Sequence, residues 1–236
     1  MRKWAGEAPP SAPGRESRGG MPMDTCSTEI KAGERTAFDF TTLSARERYK
    51  LMIGTIIPRP IALVTTVDEH GRYNAAPFSF FNCLSADPPI LAIGVEHNPD
   101  MSFKDTGHNI RMTEVFTVNI VSRAIAEAMH VCGARYPRGM DELKKAGLTA
   151  MPGEKIAAPW IKEAPAAFEC RRHVTLELGR TRQIIMGEIL FAHYREGAVD
   201  TAMHVDPDVI DAIARLGGDT CATIRDRFEM LTPAPV

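Results

Sequence analysis

No stretch of this 236-residue chain approaches the ~20 continuous apolar residues that cross a bilayer, since even Ile90 to Val95 stops at Glu96. Charge of one sign is lacking too. The 28 Lys and Arg stand against 30 Asp and Glu, a formal net charge of -2, which gives no electrostatic reason to expect DNA, RNA or an anionic membrane as the main partner. Cysteine is sparse: Cys26, Cys83, Cys132, Cys170 and Cys221 are odd in number and contain no C-x-x-C pair. Neither a disulfide framework nor a structural zinc site is expected, and a reducing compartment is. The first twenty residues lack the apolar core of a secretory signal, because Pro9, Pro10, Pro13, Gly14, Gly19 and Gly20 interrupt Arg and Ser. A disordered tail over residues 1–36 and a cytoplasmic location are the expectations, with Met21 and Met23 as alternative translation starts. Also absent are G-x-G-x-x-G after a strand, G-x-x-x-x-G-K-[ST], H-E-x-x-H and any repeat of fixed period.

What is present is a core: 44% of the residues are hydrophobic, enough for one domain over residues 37–236 with a small-molecule site. A polar helix through Ser44 to Arg48 leads into Tyr49–Leu51. Ile61–Val67 is β-branched and bounded by Pro60 and by Asp68-Glu69-His70-Gly71, a strand entering a hairpin whose return begins at Arg72. Further strands are expected at Ile90–Val95, Phe116–Val121, Phe168–Leu178 and about Gln183–Tyr194. Tyr136 to Pro165, rich in Pro, Gly, Lys and Glu, reads as a surface loop with a short helix, of the kind that forms lids. Asp206-Pro207 supplies a cap and a first helical residue; with Val209, Ile210 and Ile213 on one face and Gly217 as terminator, a C-terminal helix is expected. Many short strands and few helices suggest a mainly β fold, a barrel with peripheral helices.

Chemistry concentrates in two places. Thr65 and Thr66 precede a hairpin that returns through Asn74-Ala75-Ala76-Pro77-Phe78-Ser79-Phe80-Phe81. Hydroxyls and an amide beside aromatic surface suit a planar heteroaromatic ligand, and ordinary strand packing explains the same residues. Asn98 to Thr106 places Ser102, Lys104 and Asp105 where a short helix starts, which suits either a phosphate or a capped surface helix with a solvated lysine. The seven histidines show no metal spacing and no cluster with carboxylates, and read as surface or core residues. Cys83 reads as a buried structural thiol and Arg171-Arg172 as a solvated strand edge. Ser79 lacks the flanking glycines of a nucleophile elbow.

Taken in order, P-R-P-I-A-x-V-T-T, G-R-x-N-x-A-P-F-S-F-F, A-D-P-P, K-D-T-x-x-N-I and a strand with V-N resemble the flavin reductase-like family with its FMN-binding split barrel, over about residues 45 to 195. Ala214-Arg215-Leu216-Gly217-Gly218 is similar to the C-terminal signature of a branch whose members are labelled flavoprotein oxygenases or flavin reductases. The resemblance implies a split β-barrel with peripheral helices and a homodimer with FMN at the subunit interface. It implies that Thr65 and Thr66 touch the ribityl chain or ring edge, that Asn74, Pro77, Phe78, Ser79 and Phe80 line the isoalloxazine, and that Ser102, Lys104 and Asp105 lie at the phosphate. Arg59 either joins the site or buttresses the barrel by pairing with a carboxylate, and Arg215 either reaches a neighbouring subunit's flavin or lies beside a plain helix cap.

The activity so implied is an FMN-dependent oxidoreductase taking hydride from NADH or NADPH and passing electrons to oxygen, free flavin or a partner monooxygenase. No acid, base or nucleophile is assigned. The alternatives are direct monooxygenation of a small substrate under a closed pocket, and a non-enzymatic FMN electron carrier.

Overall fold

The computed structural model describes Gly33 and residues 35–230; the tail expected over residues 1–36 lies outside this range save for Gly33, Arg35 and Thr36. From Leu43 onward the described residues form one compact unit. It opens on helix α1 (Ala45–Thr55), started by a capping box in which the Ser44 hydroxyl accepts the Glu47 N–H and the Glu47 carboxylate accepts the Ser44 N–H. The chain then runs β1 (Arg59–Pro60), β2 (Ala62–Val67), β3 (Tyr73–Phe78), β4 (Phe81–Ala86), β5 (Pro89–Glu96), α2 (Asp105–Thr113) and β6 (Val115–Ile120). After a 3-10 turn come α3 (Ala126–Cys132), α4 (Glu142–Ala146), β7 (Ala150–Met151) and β8 (Trp160–Ile161), then the long pair β9 (Ala166–Leu178) and β10 (Arg182–Tyr194). One helical turn, α5 (Pro207–Ile210), precedes β11 (Ile213–Arg215) and β12 (Cys221–Thr223).

Seven of these strands form one antiparallel sheet in the order β3-β2-β6-β9-β10-β5-β4. β3 and β4 lie at its opposite edges, yet only Ser79 and Phe80 separate them in the chain. Two residues cannot span a flat seven-stranded sheet, whose strands are ~4.8 Å apart. The sheet therefore curls until its edges approach, and no ladder joins them: the barrel is split. The single strand expected from Arg72 through Phe81 is thus two strands meeting at a corner.

Burial follows from the curl. Ala62 and Val64 point inward with Leu91, Ile93, Val118, Phe116 and Ile185, while Leu63 points outward into a second core with Ile125, Met129, Leu143 and Ile161. Every residue of β2 is consequently buried, which is why its sequence reads as an apolar run rather than an alternation. Gly187, at a register shift of β10, leaves room for the Phe116 ring; a Cβ there would collide with it.

Three further expectations need correction. Tyr136 to Pro165 is no lid, for Leu143, Leu148, Ile161 and Ala164 plug into the outer core. Asn119 pins this segment by accepting the Ile161 N–H at 2.8 Å and donating to the Leu63 carbonyl. The C-terminal helix does begin at the Asp206 cap, which accepts the Asp208 N–H, but it ends at Ile210. There Asp211 turns left-handed at φ 42°, and pairing of β11 with β1 claims Ile213 for a strand; a long-range ladder outweighs a local helical pattern. Finally, β9 is the central strand of the sheet, not an edge. Arg171 meets Glu188 at 2.9 Å and Arg172 clasps Glu114 at 2.6 and 2.7 Å.

Candidate functional site

α2 begins without help from its own chain. Its N-cap is Lys104, whose side chain makes no capping bond, so the first-turn N–H groups carry no side-chain acceptor and present the positive end of the helix. The preceding loop is self-contained: the Ser102 N–H and hydroxyl donate to Asp100 at 2.9 and 2.6 Å, and Asn98 donates to the Ser102 hydroxyl at 3.0 Å. The polar residues that could cap α2 are thereby occupied one turn too early. Thr66 then fixes the helix on the barrel by accepting a 3.0 Å bond from Asn109.

This helix start opens on a cleft of about 1080 Å³. β3 supplies one wall through Asn74, Pro77 and Phe78, and the stretch from Glu96 to Asp105 supplies another. The third wall is the segment after α3, with Arg135, Tyr136 and Arg138, and Glu142 of α4 lies below it. Asn74 is 7% exposed and its amide nitrogen is buried without a partner. A buried donor left unpaired is costly unless something else takes it.

Phe103 anchors the second wall. His97 meets it edge-on at 5.0 Å and donates from Nδ1 to the Arg180 carbonyl, 3.0 Å away. The Arg111 guanidinium covers its other side at 4.3 Å and pairs with Glu177. The carboxylates on the cleft differ in their commitments: Glu96 meets Arg182 at 3.2 Å, Asp105 faces Arg138 at 3.8 Å, and Glu142 has no cation partner among the described residues. Glu142 instead accepts the Ala75 N–H at 3.0 Å, satisfying the outer edge of β3. Burial, with Asp105 and Asp141 nearby, pushes its carboxyl above the usual range despite that bond. Burial likewise pushes the neighbouring Cys132 thiol up to about 12, with Glu142 adding to the effect, so it is inert as a nucleophile at neutral pH.

Of the residues singled out in the sequence, Asn74, Pro77, Phe78, Ser102, Lys104 and Asp105 meet at this cleft. Thr65 and Thr66 do not line it. Both are 0% exposed; Thr65 donates to the Pro159 carbonyl and Thr66 braces Asn109, so their place is behind the wall. Ser79 and Phe80 sit at the corner, where Phe80 lies under Arg182 at 4.8 Å and near Tyr49. Arg59 is buried and pairs with no carboxylate among the described residues: it donates to the carbonyls of Ile53, Ile56 and Leu216 at 2.6, 2.7 and 2.9 Å, tying the end of α1 to the C-terminal hairpin. Arg215 folds back on the Gly218 carbonyl at 2.6 Å and on Asp219 at 3.2 Å.

Residues that the sequence did not reveal are Arg135, Arg138, Glu142 and Phe103. The signal of the two arginines, which flank Tyr136-Pro137, looks like any polar loop until the end of α3 brings it against β3. Histidine also finds carboxylates across the fold, His193 meeting Glu169 at 2.7 Å and His97 meeting Glu177 at 3.9 Å. Cys83 is exposed, on an edge strand, rather than buried. Among the described residues no group of three or more His, Cys, Asp or Glu is placed to hold a metal.

The model of the flavin reductase like domain matches residues 53–213. An uncharacterised protein of Deinococcus radiodurans is 42% identical over 202 residues, covering 83% of this chain and 88% of that one. Among solved structures, 2-nitrobenzoate 2-nitroreductase NbaA of Pseudomonas fluorescens superposes with a TM-score of 0.79 at 35% identity, over 85% of this chain and 98% of its own. Nitrilotriacetate monooxygenase component B of Bacillus cereus gives a TM-score of 0.81 at 28% identity, over 84% and 100%.

Proposed function

Because this chain belongs to the flavin reductase like domain family, we propose that its cleft holds FMN and that it is an NAD(P)H-dependent flavin reductase. The carrying observation is the cleft itself, where the uncapped start of α2 with Lys104 lies across from the unpartnered Asn74 amide and the Pro77–Phe78 wall. An anion-attracting end joined to a flat apolar wall with a buried donor fits a phosphorylated flavin.

In this reading α2 and Lys104 hold the phosphate, with Ser102 beside them, and Asp105 is kept from opposing it by Arg138. Asn74 donates to the ring, while Pro77 and Phe78 exclude water from one face. Thr65, Thr66 and Arg59 act from behind: Thr66 fixes α2 through Asn109, Thr65 fixes the wall, and Arg59 secures α1. Ser79, Phe80 and Arg215 are assigned to a homodimer contact with the flavin at the interface. When bound, FMN supplies the redox chemistry, accepting hydride from NADH or NADPH and delivering electrons onward. Orientation of the two rings by the cleft walls accounts for rate without a dedicated acid or base.

Two features favour a reductase over direct oxygenation of a substrate. The cleft is open, and the segment expected to close it, Tyr136 to Pro165, forms one wall at Tyr136 and Arg138 and is pinned in the outer core by Leu143, Leu148, Ile161 and Ala164. The likeness to a monooxygenase component B supports delivery of reduced flavin to a partner monooxygenase in the cytoplasm. The test is an anaerobic absorbance spectrum of the FMN-reconstituted protein before and after NADH and then NADPH. Bleaching of the flavin band, repeated on readmitting air, is expected. A flavin that binds but is not reduced by either nucleotide replaces the reductase with an electron carrier, and failure to bind flavin removes the site.

A further inference from the structure

Resting on the nucleotide-dependent reading above, we propose that Arg135 binds a phosphate of the nicotinamide nucleotide and is the residue that gives the cleft its grip on the electron donor.

A dinucleotide carries a pyrophosphate that a Rossmann domain would seat on a glycine-rich turn and helix start. This chain has no such motif, and its one open helix start on the cleft is assigned to the flavin. A second anion has to be held by side-chain cations. On the cleft these are Lys104, Arg135 and Arg138. Lys104 belongs to the flavin's phosphate, and Arg138 faces Asp105 at 3.8 Å. Arg135 is exposed and makes no ion pair among the described residues.

The segment carrying Arg135 is held at both ends. Gly133 lies so close to β3 that a Cβ would sit 3.3 Å from Pro77. Gly139, at φ +80°, is packed on the Arg72 guanidinium, 2.7 Å from where its Cβ would be. Between them the Tyr136 hydroxyl donates to the Val131 carbonyl at 3.3 Å. A guanidinium presented from a fixed segment loses less freedom on binding than one on a free loop. With Glu96 and Asp105 paired and Glu142 buried, the unmatched charge at the rim is positive, which draws in an anionic donor.

The experiment is calorimetric titration of FMN-loaded protein with NAD+ and NADP+, which bind without reducing the flavin, in wild type, Arg135→Ala, Arg135→Lys and Arg135→Glu, with flavin affinity measured in parallel. Arg135 is exposed, so circular dichroism is expected to be unchanged. Dissociation constants are expected to rise about 10- to 150-fold in Arg135→Ala, the scale of one charged hydrogen bond, and further in Arg135→Glu, with partial recovery in Arg135→Lys and a shallower salt dependence than wild type. Equal losses for both nucleotides place the pyrophosphate at Arg135, and a loss for NADP+ alone places the 2′-phosphate there; either supports the proposal. Unchanged nucleotide affinity overturns it, as does an equal loss of flavin affinity, which would give Arg135 to the flavin. If wild type binds neither nucleotide, the donor reading itself falls. If wild type binds and the variants match it, only the arginine assignment does.

Discussion

Glu169 and Glu142 are both buried carboxyls, and their surroundings drive them in opposite directions. Burial pushes Glu169 up, but the bond to His193 and the backbone N–H groups of Glu154 and Lys155, all at 2.7 Å, outweigh it and hold the carboxyl below its usual range. A depressed folded value means stability present above the unfolded pKa of ~4.3 and lost as pH falls through the folded value. Glu169→Gln is expected to cost about 3 kcal/mol near neutral pH in urea unfolding, since His193 and two amides lose their charged acceptor, and the difference from wild type shrinks in acid. Glu142 runs the other way. Its raised folded value means a contribution present below the unfolded pKa and lost as pH rises through the folded one. Glu142→Gln, which keeps an acceptor for the Ala75 N–H, is expected to narrow the loss of stability as pH rises above the unfolded carboxyl value of ~4.3; an unchanged pH profile would count against a buried carboxyl with a raised folded value. In the cleft, Lys104→Ala is expected to weaken FMN binding by about 1.5–3 kcal/mol, read by fluorescence quenching. Unchanged affinity would remove the phosphate assignment.

At the scale of elements, β10 shows how one small residue sets a curvature. Its register slips at Gly187 and again after Ile189, and such irregularities increase local twist and bend a strand. The Phe116 ring fills the space left by the missing side chain. Gly187→Ala is expected to destabilise by about 1–3 kcal/mol through overpacking, measured by thermal melting, and pairing it with Phe116→Leu should restore part of the loss. The same logic governs α2, which stays short because Glu114 turns left-handed at φ 63° and is held there by Arg172. The strands were legible in the sequence because β-branched runs between turn residues have few other uses. The short C-terminal strand β11 was not, because Val209, Ile210 and Ile213 fit a helical face equally well until β1 is brought beside them.

Across the whole molecule, the exposed apolar residues are many for a solitary chain. Ile56 is 61%, Leu84 56% and Leu178 48% exposed, and β4 is an open sheet edge. Edges of this kind are usually covered, which agrees with the homodimer proposed here. Sedimentation is expected to return twice the chain mass, and Leu84→Asp to lower it. A monomer with full flavin affinity would show that one chain completes the site. No helix of the described residues is long and apolar enough to cross a membrane.

What the sequence determined by itself is the longer strands of the barrel, the family and half of the cleft: Asn74, Pro77 and Phe78 follow each other along β3, and Ser102, Lys104 and Asp105 along the entry to α2, so local order was enough to group them. What only the tertiary structure decided is which side chains face the ligand space and which stand behind it. Thr65 and Thr66 sit on a strand packed on both faces, a fact set by α2 on one side and the 152–161 segment on the other. Arg135 and Glu142 reach the cleft because α3 and α4 pack on the outside of β3, a contact between segments some sixty residues apart that no periodicity records. Burial and long-range pairing are properties of the closed fold, and they fix the roles that residue type alone left open.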